Sequence, residues 1–476
     1  MQAPSLRTRF DHAVPWVAVH RRAEAPKQSS QLGGAAASIF GSCAAVGAGF
    51  AFSTCLTRKR SVVMRTVEGA AAPGHVKPQR VIYAAVFLHL LGFTMNGPII
   101  PSLRKHFGLA AAKTGFISSA FPLGAIFAAA VFPALSDRIG RKPVLLISYA
   151  GVGLGFVLQG LSVANGLPFA AFIALRVMSG AFAGASIVVK AYLADVASKT
   201  TLPKYMARRE AAGTLAFIVG PAISGMLLSL TSVSAVVAFS GATSLMAAGL
   251  VLFLLEKTST QRSKPKSDAQ PPSEGEKEPS QTPDAPDSPA RRRAIIVSMM
   301  FISFFYNIGQ SFFDSFFGVL MVERFGVSPA TLGQMFTLLA CLVFVTAGWL
   351  YYPLVQLAST SAVAACGLTL MAVGMRLLGG SSSLPAVVLG VFFYGIGLPL
   401  FTPSVPILLT EASPPGRRGM ILGIDSAVNT VARVLSPAIM GVIYQGHGAA
   451  VAFQRASIVL LVGASVLACV RTGLRA

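Results

Sequence analysis

Several ionisable side chains stand inside long apolar runs of this sequence: His89, Arg176, Asp314, Asp425 and Arg433. A charge in an apolar surround is costly, so such residues normally face a bundle interior, another charge or a watery path. Each is therefore a candidate for carrying a proton or holding a charged ligand. An imidazole ordinarily titrates near neutral pH, so His89 suits proton transfer; a hydrogen-bonded packing role is its other reading. Asp314, with Gln310 one turn before it, can bind a cation, carry a proton or pair with an arginine. Arginine keeps its proton at any accessible pH, so Arg176 and Arg433 can only bias neighbours or bind anions. Asp425, Asn429 and Arg433 recur every four residues, which puts them on one helix face, and that face must turn inward. Phe301, Phe304, Phe305, Phe312, Phe313, Phe316 and Phe317 surround Asp314 on all sides, and part of the set is free to line an apolar pocket.

Twelve apolar segments must position these groups, near 82–101, 115–135, 144–164, 167–190, 211–231, 234–255, 295–321, 331–351, 361–379, 384–410, 419–444 and 451–471. Most are about 20 residues long, enough to cross a bilayer as helices. The expected fold is all-α, twelve transmembrane helices in two six-helix halves, 81–255 and 294–471. With 54% hydrophobic and 12% charged residues, the 476-residue chain is too apolar for a soluble globular protein. The 39 basic residues exceed the 17 acidic ones, but the cations cluster in the head segment and the loops, so membrane topology explains them and nucleic acid need not be invoked. With both termini inside, Arg138, Arg141, Lys142, Lys199, Lys204, Arg208, Arg209, Arg417 and Arg418 fall on the inner side. Only Arg104, Lys105, Lys113 and Arg324 fall outside.

Two stretches lie apart from the helices. Residues 1–75 are basic, poor in acid and rich in Ser and Ala, the composition of a targeting presequence. A plastid address and a disordered cytosolic tail are both compatible with it, and Ala35 to Leu56 reads as part of that presequence or as a poor span. Residues 256–293 are polar and proline-rich and cannot bury enough apolar surface to fold; they form a flexible inner linker ending in Arg291, Arg292 and Arg293. Cys341, Cys366 and Cys469 fall in apolar runs, Cys43 and Cys55 in the head segment. No metal-ligand spacing and no nucleophile–base constellation is present, so neither a metal, a cofactor nor enzymatic activity is expected.

The second half repeats the first. At an offset of 216, Asp195 falls on Glu411, Pro221-Ala222-Ile223 on Pro437-Ala438-Ile439, Gly225 on Gly441 and Gly151 on Gly367. At 218, Phe107-Gly108 falls on Phe325-Gly326 and Asn96 on Asp314. Parallel halves of this kind place a substrate path between them, which makes Asn96 a candidate too.

Between the second and third segments runs Pro133-Ala134-Leu135-Ser136-Asp137-Arg138-Ile139-Gly140-Arg141-Lys142-Pro143-Val144-Leu145. Leu135, Asp137, Arg138, Gly140, Arg141, Lys142 and Leu145 resemble the signature loop of the major facilitator superfamily, with Pro133 in place of its leading glycine. Gly213, Gly220, Pro221 and Gly225 in the fifth segment resemble the helix-packing element of drug:proton antiporters in that superfamily, Ser224 replacing a glycine. Small residues let helices approach closely in lipid and proline kinks them, which is also all a packed, kinked helix requires. Arg176 and Gly180 resemble the R-x-x-x-G element of the same antiporters, which implies a part for Arg176 in proton transfer; pairing with a carbonyl or an acid is its structural alternative. His89 stands where tetracycline-type exporters often carry an aspartate. The resemblance implies a monomeric secondary transporter of a small organic molecule, exporting it against protons by rocking its halves. An uncoupled facilitator or exchanger of an organelle envelope is the other reading. It also implies that Asp137 latches the signature loop to the opposite half. Asp195 and Glu411, each before a basic loop, are read as state-dependent inner-gate contacts, simple loop ion pairs being the alternative.

Overall fold

The computed structural model describes residues 78–198, 201–255, 289–414 and 417–475, all within one compact unit, Gly74–Ala476. The head segment and nearly all of the linker lie outside them. Apolar stretches long enough to cross a bilayer follow one another in order. Spans 1 to 6 are Pro78–His106, Ala111–Ile139, Arg141–Ala164, Phe169–Val196, Lys204–Leu230 and Val233–Leu254. Spans 7 to 10 are Arg291–Phe325, Pro329–Leu357, Thr360–Gly380 and Leu384–Ala412. The stretch Arg418–Cys469 has 52 residues and would measure about 78 Å as one helix, against a hydrocarbon core of about 30 Å. Gly448, at φ 80° and ψ 170°, breaks it. Its two parts, 418–447 and 449–469, are spans 11 and 12, which makes twelve among the described residues.

The helices are not uniform. Span 1 turns at Met95, before a second segment Asn96–His106, and span 4 is interrupted between Ala181 and Ala185. Span 8 widens into a π-turn at Thr346–Leu350 before its last piece, Tyr351–Leu357. Such breaks survive in membranes only where neighbouring protein groups satisfy the freed backbone.

Glycines set how closely the spans meet. Gly180 of span 4 sits on the Phe121 carbonyl of span 2, and Gly124 of span 2 on the Val177 carbonyl of span 4. In the second half Gly367 of span 9 faces the Gly397 carbonyl of span 10, and Gly397 faces the Gly367 carbonyl in return. An added Cβ at any of these four would strike backbone, so only glycine permits the approach.

Candidate functional site

Span 7 carries Ser303, Asn307, Gln310 and Asp314 at steps of four, three and four residues, which aligns them along one helix face. Span 11 answers with Asp425, Asn429, Arg433 and Ser436. The two stripes are stitched together: Ser303 Oγ donates to Asn429 Oδ1 at 2.9 Å, Asn429 Nδ2 to Asp425 Oδ2 at 2.9 Å, Arg433 Nε to Asn307 Oδ1 at 2.9 Å, and Ser436 Oγ to the Ile308 carbonyl at 2.6 Å. Asp425 is 8% exposed, and its second oxygen, Oδ1, has no hydrogen-bond partner. The inward stripe expected from the four-residue spacing is therefore a seam between spans 7 and 11. Ser303 and Asn307 belong to it and were not among the candidates, because a neutral polar residue in an apolar helix carries little signal by itself.

Further along this seam the polar groups meet open space. Asp314 and Arg433 are both exposed although they lie well inside their spans. One turn beyond Asp314, Gly318 approaches the Pro101 ring of span 1, where an added Cβ would stand 3.2 Å from Cγ. One turn beyond Arg433, Pro437 presents its carbonyl to Gly115 of span 2. Both charges thus face the opposite half, just beneath the contacts that join the halves. They lie within electrostatic reach of each other and of Tyr306, yet form no ion pair. Asp314 makes no hydrogen bond among the described residues. Tyr306 in turn contacts Thr402 of span 10 at 3.3 Å. Of the phenylalanines around Asp314, Phe312, Phe313, Phe316 and Phe317 are fully buried, Phe313 stacking on Tyr394 at 4.0 Å, while Phe301 is 58% exposed.

The first half is built differently. Arg176 is 6% exposed and is enclosed by neutral acceptors: the Ile117 carbonyl at 2.6 Å, Asn96 Oδ1 at 3.2 Å and Gln159 Oε1 at 3.2 Å, with Phe172 beneath the guanidinium. Gln159 also donates to Ser179 at 2.7 Å. One side chain thereby ties span 4 to spans 1, 2 and 3. Of its two structural alternatives, the carbonyl is the one realised, and no acid pairs with it. His89 is half-buried, with Nδ1 3.1 Å from Ser244 Oγ and its ring 5.0 Å from Tyr149, a packing arrangement between spans 1, 6 and 3.

The signature loop turns at Gly140, φ 96°, a conformation that favours glycine. Arg141 is its hub, bonded to Asp137, to Ser136 Oγ at 2.6 Å and to Asp195 Oδ2 at 2.9 Å. Lys142 donates to the Leu252 carbonyl at 2.9 Å and to that of Leu255. Asp137 pairs here within its own loop, and Asp195 pairs with Arg141. At the offset of 218 Arg141 falls on Ser359, which caps Ala362 N at 3.3 Å. Leu135 packs on the first-half core, and Arg138 is exposed.

At the other end of the spans the halves are closed upon each other, and the closure is symmetric. Gly225 of span 5 meets the Pro329 carbonyl of span 8, and Gly441 of span 11 meets the Ala111 carbonyl of span 2. Gly333 of span 8 rests on the Pro221 carbonyl, and Gly115 of span 2 on the Pro437 carbonyl. Each pair maps onto the other at the offsets of 216 and 218, and the match of Gly115 to Gly333 was available in the sequence. Gly213 and Gly220 face span 1 instead, at Leu90 and Thr94. An ionic clasp crosses the same end: Glu323 of span 7 accepts from Arg104 of span 1 and from Tyr444 of span 11 at 2.8 Å, and Gln445 accepts from Ala112 N at 3.1 Å. At the signature-loop end, by contrast, the bonds of Asp137, Arg141, Lys142 and Arg209 stay within the first half. The interior that Asp314 and Arg433 face is closed at one end by these contacts.

Two six-helix halves, sealed at one end around a polar interior, define a membrane transporter, not an enzyme. The profile of the Major Facilitator Superfamily matches residues 82–352 and 299–474, and the chain belongs to that superfamily. It is 25% identical over 420 residues to major facilitator superfamily domain-containing protein 10 of Mus musculus, spanning 80% of this chain and 90% of that one. It is 22% identical over 373 residues to multidrug resistance protein 1 of Bacillus subtilis, spanning 76% and 89%. The crystal structure of the human organic anion transporter MFSD10 (TETRAN) superposes with a TM-score of 0.58 at 20% identity, over 82% of this chain and all of that one.

Proposed function

We propose that this transporter exports a small organic molecule in exchange for protons, with Asp314 as the proton carrier and Arg433 as the fixed charge that responds to it. The supporting observation is the position of Asp314: a carboxylate on the interior face, without a hydrogen bond or ion pair, within electrostatic reach of an arginine held by Asn307. Ionised, Asp314 offers an anion to a cationic group of a ligand; protonated, it does not. Proton and ligand then exclude one another at one site, the condition for exchange. Asp425 is the second carrier candidate, since one of its buried oxygens lacks a donor that a proton would supply. The printed names of the relatives, a multidrug resistance protein and an organic anion transporter, favour drug-like or anionic cargo. Residues 1–75 support an organelle address, a plastid envelope being the one proposed.

The test is uptake into liposomes containing purified protein, with and without a pH gradient, across a panel of small organic anions and cationic drugs. Accumulation above equilibrium that vanishes with the gradient supports exchange. Equal downhill movement under both conditions moves the uncoupled facilitator ahead.

A further inference from the structure

Spans 7 and 12 pack tightly over part of their length: Gly309 lies against Leu460, and Gly463 against Phe305 and Ile302. Toward the signature-loop end they part. A groove of about 630 Å³ opens there, lined by Ser298 of span 7 and by Ile458, Leu461, Val462, Ser465, Val466 and Cys469 of span 12. The span 12 residues recur at three- and four-residue steps, so a single face of that helix forms one wall. From Ile458 to Cys469 is 469 − 458 = 11 residues, a rise of about 16 Å, close to the depth of one hydrocarbon leaflet. The groove faces away from the interior and takes no part in the site described above.

Cations stand at its mouth. Arg291 precedes Ser298 by seven residues, two turns along the same helix face, and Arg293 beside it is exposed. Basic pockets between membrane helices attract anionic headgroups, each cation near the surface contributing about 1 kcal/mol.

The geometry points to a site for one anionic phospholipid: an acyl chain along the face Ile458–Cys469, its phosphate at Arg291 and Arg293. The groove spans a single leaflet, its lining is apolar apart from Ser298 and Ser465, and its open end alone is charged.

Native mass spectrometry of the full-length chain in detergent, titrated with phosphatidylglycerol or phosphatidylcholine of identical chains, tests this assignment. Wild type should retain one phosphatidylglycerol in preference to phosphatidylcholine. That preference should fall about fivefold for each of Arg291→Gln and Arg293→Gln, with phosphatidylcholine binding unchanged. Val462→Trp, which fills the groove, should reduce retention of both lipids. Soluble glycerophosphate should fail to compete, because it lacks the chain. Equal retention of the two lipids by wild type, or an unaltered preference in the arginine variants, overturns the proposal. A dimer mass lost in Val462→Trp would assign the groove to a second copy of the chain and overturn it equally. The arginine variants lie at the surface and decide the matter even if Val462→Trp does not fold.

Discussion

Each half of the molecule buries an arginine-centred polar cluster, and the two clusters are built to opposite ends. Arg176 is shielded and held by three neutral acceptors from three other spans. Arg433 is exposed to the interior, is held through one amide oxygen and has a carboxylate nearby that it does not grip. A side chain bonded on every side has no second arrangement of similar energy. One held at a single point does, and only an element with two arrangements can respond to a ligand or a proton. The first half thus supplies a rigid frame and the second the responsive charge, although both descend from one repeat in which Asn96 falls on Asp314.

The comparison breaks most visibly if Arg176 is removed. Arg176→Ala leaves Asn96, Gln159 and the Ile117 carbonyl without their donor, and hydrogen bonds to a charged group contribute about 1.5–3 kcal/mol each. Loss of about 3 kcal/mol or more is expected, read as a lowered melting temperature in detergent and a collapsed yield. A well-folded Arg176→Ala protein with altered proton dependence would reverse the roles assigned to the two halves.

Asp314→Asn should do the reverse: melting close to wild type, with accumulation driven by a pH gradient reduced to background. Downhill exchange in the same proteoliposomes should persist, since rocking of the halves does not need the proton. His89→Gln should leave coupling intact, because the ring is occupied in packing. If Asp425→Asn abolishes coupling and Asp314→Asn does not, the carrier moves along the seam to span 11.

Asp137→Ala should slow turnover strongly while ligand affinity changes only a few-fold, because Asp137 holds Arg141, which also binds Asp195 at the end of span 4. Rates and binding measured on the same preparation separate the two effects. The smallest change is expected of Asn307→Ala. One hydrogen bond to a charged group is lost, about 1.5–3 kcal/mol at most, and Arg433 becomes free to swing toward Asp314. Coupling should weaken a few-fold, and Asn307→Asp, which substitutes an anion, should suppress the pH response further than Asn307→Ala does.

Much of this was legible in the residues. Runs of apolar side chains located each span to within a few residues at most boundaries, since the bilayer sets their length. The intramembrane charges marked Asp314 and the Asp425–Asn429–Arg433 stripe separately, because a charge there must have a reason; that their helices meet in one seam is a tertiary fact. Asn307 and Ser303 escaped notice, since amides and hydroxyls in an apolar helix satisfy their own backbone as readily as a partner; Asn307 does both. The signature loop was readable as a motif but not in its pairing, because Arg141 had three acceptors within reach and their distances are a tertiary fact. The π-turn at Thr346–Leu350 left no trace in composition.

The clasp at Glu323 has a consequence for economy. A carrier that crosses the membrane empty wastes gradient or leaks cargo, and the closed end described here must part before such an idle crossing. Arg104 of the first half holds Glu323 of the second, and Tyr444 of the second half steadies the same carboxylate. Side-chain exposures of 21% for Arg104 and 42% for Glu323 leave the pair open to screening by salt. The frequency of futile turns is thereby tied to the ionic strength on that face of the membrane: dilute surroundings keep the idle carrier parked, and concentrated ones let it slip.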